Sequence, residues 1–380
     1  MSELEALRAV ERRIASFGLP GAVEQPLELT DERWTVVGFL LELRSLTGLA
    51  LAAAQGGALR ISRDATAELV ERHRAQMLHA LSLERLLLRV GDAFGDRQIP
   101  FVVLKGPALA HALYPDPSWR PFGDLDLLVR TPDWRAACSV LAGLGFRRGL
   151  PEPVAGFDER FGKAATHTGP GGLQIDLHRA LALGPFGVWI RPEELFDEVW
   201  ELRLGGRMFL RLNDTALLLH AAVHASLGRA EPLPMPVRDV AQVALAGEVD
   251  RARLADLTRR WHLAAVVGDA FAVAERHLGV TLERPLTADD LRATARERRA
   301  LASYQASRGV GGVPLAMLRA VPGLRNKSAY VRSLVMPNRE FMAARAGGRV
   351  SYVSRWRIPL RWMRHRILRG NRLTTKHTAR

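Results

Sequence analysis

The feature that most constrains this chain is a pair of short apolar runs in which acidic residues alternate with leucines and isoleucines. DLDLLVR, residues 124–130, places Asp124 and Asp126 two positions apart, and LQIDLHRAL, residues 173–181, spaces Gln174, Asp176 and His178 in the same way. Alternate side chains of a strand share a face and lie about 6.6 Å apart. Read as strands, the runs turn Asp124 and Asp126 one way and Leu125 and Leu127 the other. Asp176 and His178 are separated from Ile175 and Leu177 in the same manner. A lone Asp-x-Asp at a strand end most often faces water. A second strand with its own aligned carboxylate weakens that reading, because three carboxylates without a cation repel one another. Converging carboxylate oxygens suit magnesium or manganese far better than zinc.

Around these runs the pattern is that of a mixed α/β core between helical regions. Residues 31–56 and 64–95 read as helices, the second with apolar side chains at three- and four-residue steps. IPFVVLKG, residues 99–106, is a short apolar run bounded by a proline and a glycine, and reads as a buried strand. A short helix at 107–113 and a Pro- and Trp-containing loop at 114–123 lead to the Asp-x-Asp strand. The next helix has Thr131 as its expected N-cap and Pro132 at its first position. Gly169-Pro170-Gly171-Gly172 lacks the Lys-Ser/Thr of a phosphate loop and precedes a strand, so it reads as a hairpin turn. Helical character returns at 214–227, 237–246, 251–278 and 288–307, and a Gly/Pro-rich segment at 309–314 ends it.

Composition adds limits more than clues. With 380 residues, 48% apolar and 25% charged, the chain has the make-up of a folded globular protein. Its charged start offers no apolar leader, and no run of about 18 apolar residues appears, so the expectation is a cytoplasmic protein without a membrane span. The single cysteine, Cys138, cannot form an internal disulfide and sits among Ala136, Ala137, Val140 and Leu141, as a buried structural thiol does. The net charge of +14 is concentrated at one end: residues 341–380 hold ten arginines and one lysine with no Asp or Glu. Global basicity therefore says little about the carboxylates. The tail interleaves Trp356, Trp362, Met363, Ile367 and Leu368 with its arginines. Three readings compete for it: an amphipathic helix on an anionic membrane, interrupted by Pro359; a grip on nucleic-acid phosphates; or packing of its apolar side chains on the core.

IPFVVLKGPALAHALYPDPSWRPFGDLDLLV resembles the opening of the uncharacterised nucleotidyltransferase family, within the DNA-polymerase-beta-like superfamily. There a strand and Lys-Gly lead through Tyr-Pro and an Arg to an Asp-x-Asp strand. QIDLHRAL resembles the family's third-carboxylate strand, DTALLLHAAVH and VRDVAQV the helices that follow, and MPNREFMAAR a late segment. The resemblance implies a small mixed-sheet nucleotidyltransferase core at 96–212. It would be flanked by an N-terminal helical region at 1–95, a C-terminal helical domain at 213–308 and a basic extension at 309–380. It implies that Asp124 and Asp126 hold Mg2+ or Mn2+ with a nucleoside triphosphate, and that Asp176 completes the site and activates an acceptor hydroxyl. Two metals can stabilise the entering and leaving oxygens of an in-line displacement at phosphorus. The superfamily's usual Gly-Ser or Gly-Gly pair appears here as Gly106-Pro107, and Pro107 has no N–H to offer a phosphate. Lys105 is the expected compensating charge beside Gly106, against the plainer reading of a strand-end lysine in water. Arg120 is an expected phosphate contact, and His178 an expected contact to nucleotide, acceptor or metal-bound carboxylate.

His220 and His224 share a helix face, but the glutamate of a His-Glu-x-x-His metalloprotease is replaced by Ala221, so the pair reads as structural. Asp239 reads as a residue that orients the helical domain on the core. The leading expectation is transfer of a nucleoside monophosphate to a hydroxyl of a small molecule, peptide, protein or RNA. A glycosyltransferase using a nucleotide sugar also employs Asp-x-Asp after an apolar strand, although Asp176 and Lys-Gly argue against it. A third expectation is a catalytically weak module that binds nucleic acid or another anionic partner through the tail.

Overall fold

Caps and breaks define the N-terminal helices. The computed structural model describes residues 3–228, 233–305 and 312–346. Helix α1 (Glu3–Ala15) and the short strand β1 (Leu27–Glu28) lead to α2 (Asp31–Leu43), whose N-cap Thr30 accepts a hydrogen bond from Arg33 N. Then come α3 (Thr47–Gln55), β2 (Leu59–Arg60) and α4 (Arg63–Gly95), the last capped by Ser62 accepting from Ala65 N. The helix expected over 31–56 is thus two helices. Ser45 turns the chain at φ 58°. The break lets α3 press its backbone on the loop ahead of the Asp-x-Asp strand: a Cβ on Gly48 would stand 2.0 Å from Ser118 O. Apolar residues continue through both helices, which hides the kink.

The middle of the chain supplies β3 (Phe101–Val103), α5 (Pro107–Leu113), β4 (Leu125–Val129), α6 (Trp134–Gly143), β5 (Arg147–Arg148) and α7 (Phe157–Phe161). It continues with β6 (Ala164–Thr168), β7 (Gln174–His178), α8 (Gly184–Trp189), β8 (Val199–Leu204) and β9 (Arg207–Leu212). Strands β3 to β9 form one mixed sheet in the order β5-β6-β7-β4-β3-β9-β8. The parallel pairing of β4 with β7 sets Leu125 against Ile175, Asp126 against Asp176 and Leu127 against Leu177. These four apolar side chains are fully buried, under Leu83, Leu87, Val90 and Phe94 of α4 and Leu141 of α6. Each such burial stabilises by about 1.5–3 kcal/mol. A register slip of one residue would turn the aspartates into this apolar core, so the apolar face fixes where the carboxylates stand. Residues 169–172 form the hairpin turn between β6 and β7, with Gly169 N donating to Leu173 O at 2.9 Å. Thr131 does not cap α6. Thr131–Asp133 form a 3₁₀ turn, α6 starts at Trp134, and the Thr131 hydroxyl donates to Glu193 at 3.3 Å.

Helices α9 (Asp214–Leu227), α10 (Pro234–Ala246), α11 (Arg251–Arg260), α12 (Ala264–Leu278) and α13 (Ala295–Gln305) cover the other face, where Val102, Leu104, Leu128 and Leu212 join their core. α10 starts at Pro234 instead of 237, since prolines are tolerated in a first turn. The helix expected over 251–278 is broken at His262, with φ 54°. α13 starts at Ala295 instead of 288. Its start is a capping box, Glu297 N donating to Thr294 Oγ1 while Thr294 N donates to Glu297. Finally α14 (Gly312–Ala320), α15 (Leu324–Val335) and α16 (Arg339–Ala346) return to the core, where Met317, Val321 and Tyr330 bury against Phe161. The expected helix end at 306–307, residues 309–311 of the expected break and the basic tail from 347 onward lie outside the described residues; the helical region does not end at 312–314, where α14 begins with its proline in the first turn. No helix among the described residues is long and apolar enough to cross a membrane.

Candidate active site

Strand β4 begins directly after Asp124, so Asp124 and Asp126 emerge on the face opposite Leu125 and Leu127. Leu104 N donates to Asp126 O at 3.0 Å, which fixes the end of β3 beside the carboxylates. Gly106 then turns at φ 62°, and a Cβ there would stand 3.4 Å from the Phe122 ring. This turn hands Lys105 to the site. Its Nζ lies 2.8 Å from Asp126 Oδ2 and 3.8 Å from Asp124 Oδ1. The plainer expectation, a lysine reaching solvent, does not hold: the side chain is 18% exposed and paired.

The second strand completes the cluster. His178 Nε2 lies 2.9 Å from Asp126 Oδ1, and its Nδ1 lies 3.4 Å from Ala180 O. Thr166, opposite Asp176 on β6, donates its hydroxyl to Asp176 Oδ1 at 2.6 Å. One ligand atom each from Asp126, Asp176 and His178 falls within 4.8 Å of the others, a grouping that could hold a metal ion. Asp126 Oδ2 is buried and is met by the Lys105 ammonium at 2.8 Å. Two carboxylates and an imidazole gathered this closely fit a divalent cation. Asp124, half-buried and one step nearer the strand's start, stands beside this grouping.

The local electrostatics follow from burial opposed by one cation. Burial would raise the Asp126 carboxyl, but Lys105's charge and the His178 hydrogen bond outweigh it and hold the group well below the ordinary range. Burial works against Lys105's charge too, and Asp126 with Asp124 reverses that, so the ammonium is held above its usual value. Asp124 goes the other way: burial, then the charge of Asp126, push it up. A second lysine, Lys163 at the entrance to β6, was not singled out by sequence reasoning. Burial lowers its pKa, and its field reaches Asp126, Lys105, Asp176 and Asp124. The lysine in FGKAATHT carries no motif; only its place ahead of the strand facing Asp176 could have pointed to it.

Arg120 is not presented to the carboxylates as a phosphate contact would be. It is 5% exposed, and its Nε and Nη2 donate to Asp239 at 2.9 and 2.7 Å. Tyr114 donates its hydroxyl to the same carboxylate at 2.8 Å. Next to Asp239 on α10, Arg238 donates to Ala15 O and Phe17 O, and Gln242 donates to Leu113 O at 2.8 Å. The VRDVAQV stretch is thus the seam joining α1, the loop after α5 and the helical domain. His220 and His224 face each other with ring centroids 6.4 Å apart; burial pushes His220 down to about 3 and His224 well below its usual value. Cys138 is half-buried and its thiol is pushed up to about 11 by desolvation, so it is not a nucleophile at neutral pH.

A family model described as uncharacterised nucleotidyltransferase matches residues 31–279, a span that takes in the whole sheet and helices on both sides. Among curated proteins, none matches. Among solved structures, the chain is similar to an antigenic nucleotidyltransferase-like protein from Paracoccidioides brasiliensis, at 14% identity and a TM-score of 0.30, over 54% of this chain and 94% of that one.

Proposed function

This chain belongs to the uncharacterised nucleotidyltransferase family, and from that premise we propose that it moves a nucleoside monophosphate from a nucleoside triphosphate to a hydroxyl acceptor. The observation that carries the reading is the parallel register that sets Asp126 beside Asp176, with Asp124 on the same side of β4 and Lys105 over the pair. Asp124, Asp126 and Asp176 would hold Mg2+ or Mn2+. When bound, such a cation neutralises phosphate charge and makes the acceptor hydroxyl easier to deprotonate.

The chain's own groups supply the rest. Lys105 leaves its carboxylate partners and neutralises the triphosphate as a point charge. Gly106 gives the chain the close turn that keeps this lysine at the end of β3. His178 holds Asp126 in one orientation through Nε2. Thr166 occupies one oxygen of Asp176, leaving the other to receive the acceptor proton. In the reaction the acceptor oxygen bonds to the α-phosphorus, the bond from that phosphorus to the bridging oxygen breaks, and pyrophosphate leaves. The proton of the hydroxyl passes to Asp176.

The test supplies each α-labelled nucleoside triphosphate with magnesium and native lysate to the protein and to an Asp124→Ala/Asp126→Ala variant. Label transfer and pyrophosphate release by the wild type alone support the reading. Silence with triphosphates, together with aspartate-dependent turnover of nucleotide sugars, would replace it with glycosyl transfer.

A further inference from the structure

A cleft of about 530 Å³ opens between the β5–β6 end of the sheet and the returning helices α14 to α16. Thr166, the residue bonded to Asp176, forms part of its wall. Deeper in, the wall is aromatic. Phe157 and Tyr330 stack with centroids 6.4 Å apart and planes at 19°, and Phe161 meets Tyr330 edge-on at 5.2 Å. Met317 completes this floor. The volume is that of a pocket for one drug-sized molecule.

We infer that this cleft receives the acceptor, and that the acceptor is a ring-bearing apolar small molecule whose hydroxyl points to Asp176. The inference rests on the nucleotidyl-transfer reading for the chemistry and on the cleft for the class of molecule. The new bond joins the acceptor's oxygen to the α-phosphorus, pyrophosphate leaves, and the proton goes to Asp176, so no further reactant is needed. Among the described residues, charge at the cleft argues against RNA as the acceptor. A nucleic-acid strand needs a row of uncompensated cations with stacking platforms. Here Arg148 is neutralised by Asp158, and Arg345 at the rim is a single exposed charge. The aromatic cluster and Thr166 line the same cleft, and Thr166 is bonded to Asp176, an arrangement that matches a molecule with a hydroxyl at one end and a flat apolar body at the other. Phe157, Phe161 and Tyr330 lie far from the Asp-x-Asp motif in sequence, and nothing in the motif specifies them.

The probe is 2-naphthol, a flat ring with one hydroxyl, titrated against the protein by equilibrium dialysis. Two variants fill the cleft from opposite walls. Gly149→Trp is sterically permitted at its Cβ, whose nearest neighbour is Thr166 O at 3.6 Å, and Val313→Trp enters from α14. The wild type and an Asp124→Asn/Asp126→Asn variant should bind saturably and alike, and both filled variants, checked for native circular dichroism, should bind at least about tenfold more weakly. In parallel, label from triphosphate is followed into fractions of lysate below about 1 kDa, into RNA and into protein. Saturable binding lost in both filled variants, with label entering the small-molecule fraction, supports the assignment; the same binding result with label absent from every fraction supports the cleft and counts against nucleotidyl transfer alone. Binding that survives both fillings, or label entering only RNA or protein, overturns the assignment.

Discussion

Lys105 Nζ stands 2.8 Å from Asp126 Oδ2 and 3.8 Å from Asp124 Oδ1, the place where a cation shared by the two carboxylates would be held. One ammonium thus offsets a repulsion that burial would otherwise make severe. Removing one partner of a buried ion pair costs about 3–5 kcal/mol, since the other is left uncompensated. Lys105→Met should therefore melt well below the wild type without divalent cations. Magnesium should raise its Tm by more than it raises that of the wild type, because binding to the native state stabilises it. Differential scanning fluorimetry with and without magnesium reads both values. Equal magnesium shifts in the two proteins would show that lysine and cation do not share this place.

Arg120 and Asp239 make a second buried pair, and its effect is expected on stability instead of on phosphate binding. Arg120→Met and Asp239→Asn should each lower the unfolding free energy by about 3 kcal/mol, and the double variant by clearly less than the sum. Urea unfolding of the four proteins measures this. If Arg120→Lys keeps full stability yet weakens triphosphate binding, Arg120 serves the phosphates after all.

His220 gives a pH dependence whose sign can be worked out. Its folded value is about 3 against 6.5 for the free side chain. Above the unfolded value both states are neutral at this residue and its contribution is fully present. As pH falls below it, the unfolded chain takes up a proton that the folded chain refuses, and stability declines by about 1.4 kcal/mol per pH unit until the folded value is approached. Carboxylates titrate as well, so the useful quantity is a difference between proteins. Between about pH 6.5 and pH 4.5, His220→Gln should lose less stability than the wild type. Parallel urea titrations with the same slope in both proteins would refute the assignment.

What could be read from the chain in advance was what local pattern determines. Alternation in DLDLLVR and QIDLH set the faces of β4 and β7, because a one-residue slip would turn Asp126 into the apolar core and Leu127 onto the carboxylate side. The strand leading to Lys105 and the hairpin at 169–172 were legible from local pattern too. Breaks at Ser45 and His262 were not, since non-glycine residues at positive φ carry no consistent signature and apolar spacing ran through both. Partners of charged groups were also out of reach. Arg120 stands in the right loop for a phosphate, yet its partner Asp239 lies more than a hundred residues away, and only packing of α10 on the core brings the two together. The hairpin implies a strand before residue 169, but nothing in Ala164–Thr168 marks Thr166 as the partner of Asp176, because a threonine carries no charge.

Lys163 provides the sharpest separation of stability from function. Desolvation disfavours its charged form, and its side chain enters no ion pair among the described residues. Asp126, Asp176 and Asp124 pull the other way, but desolvation outweighs them, and an apolar side chain of similar length would avoid that cost. Its value, on the reading above, is as a charge waiting for the triphosphate beside Asp124 and Asp176. Lys163→Met is therefore expected to keep or raise the Tm while lowering kcat/KM for the triphosphate by at least about tenfold, a trade of stability for activity. Lys163→Arg, which restores the charge with a different shape, should recover part of the loss. Thermal unfolding and transfer kinetics on the same preparations decide it. A variant that loses stability and activity together would mean that Lys163 supports the fold of β6, and that the triphosphate is met by Lys105 alone.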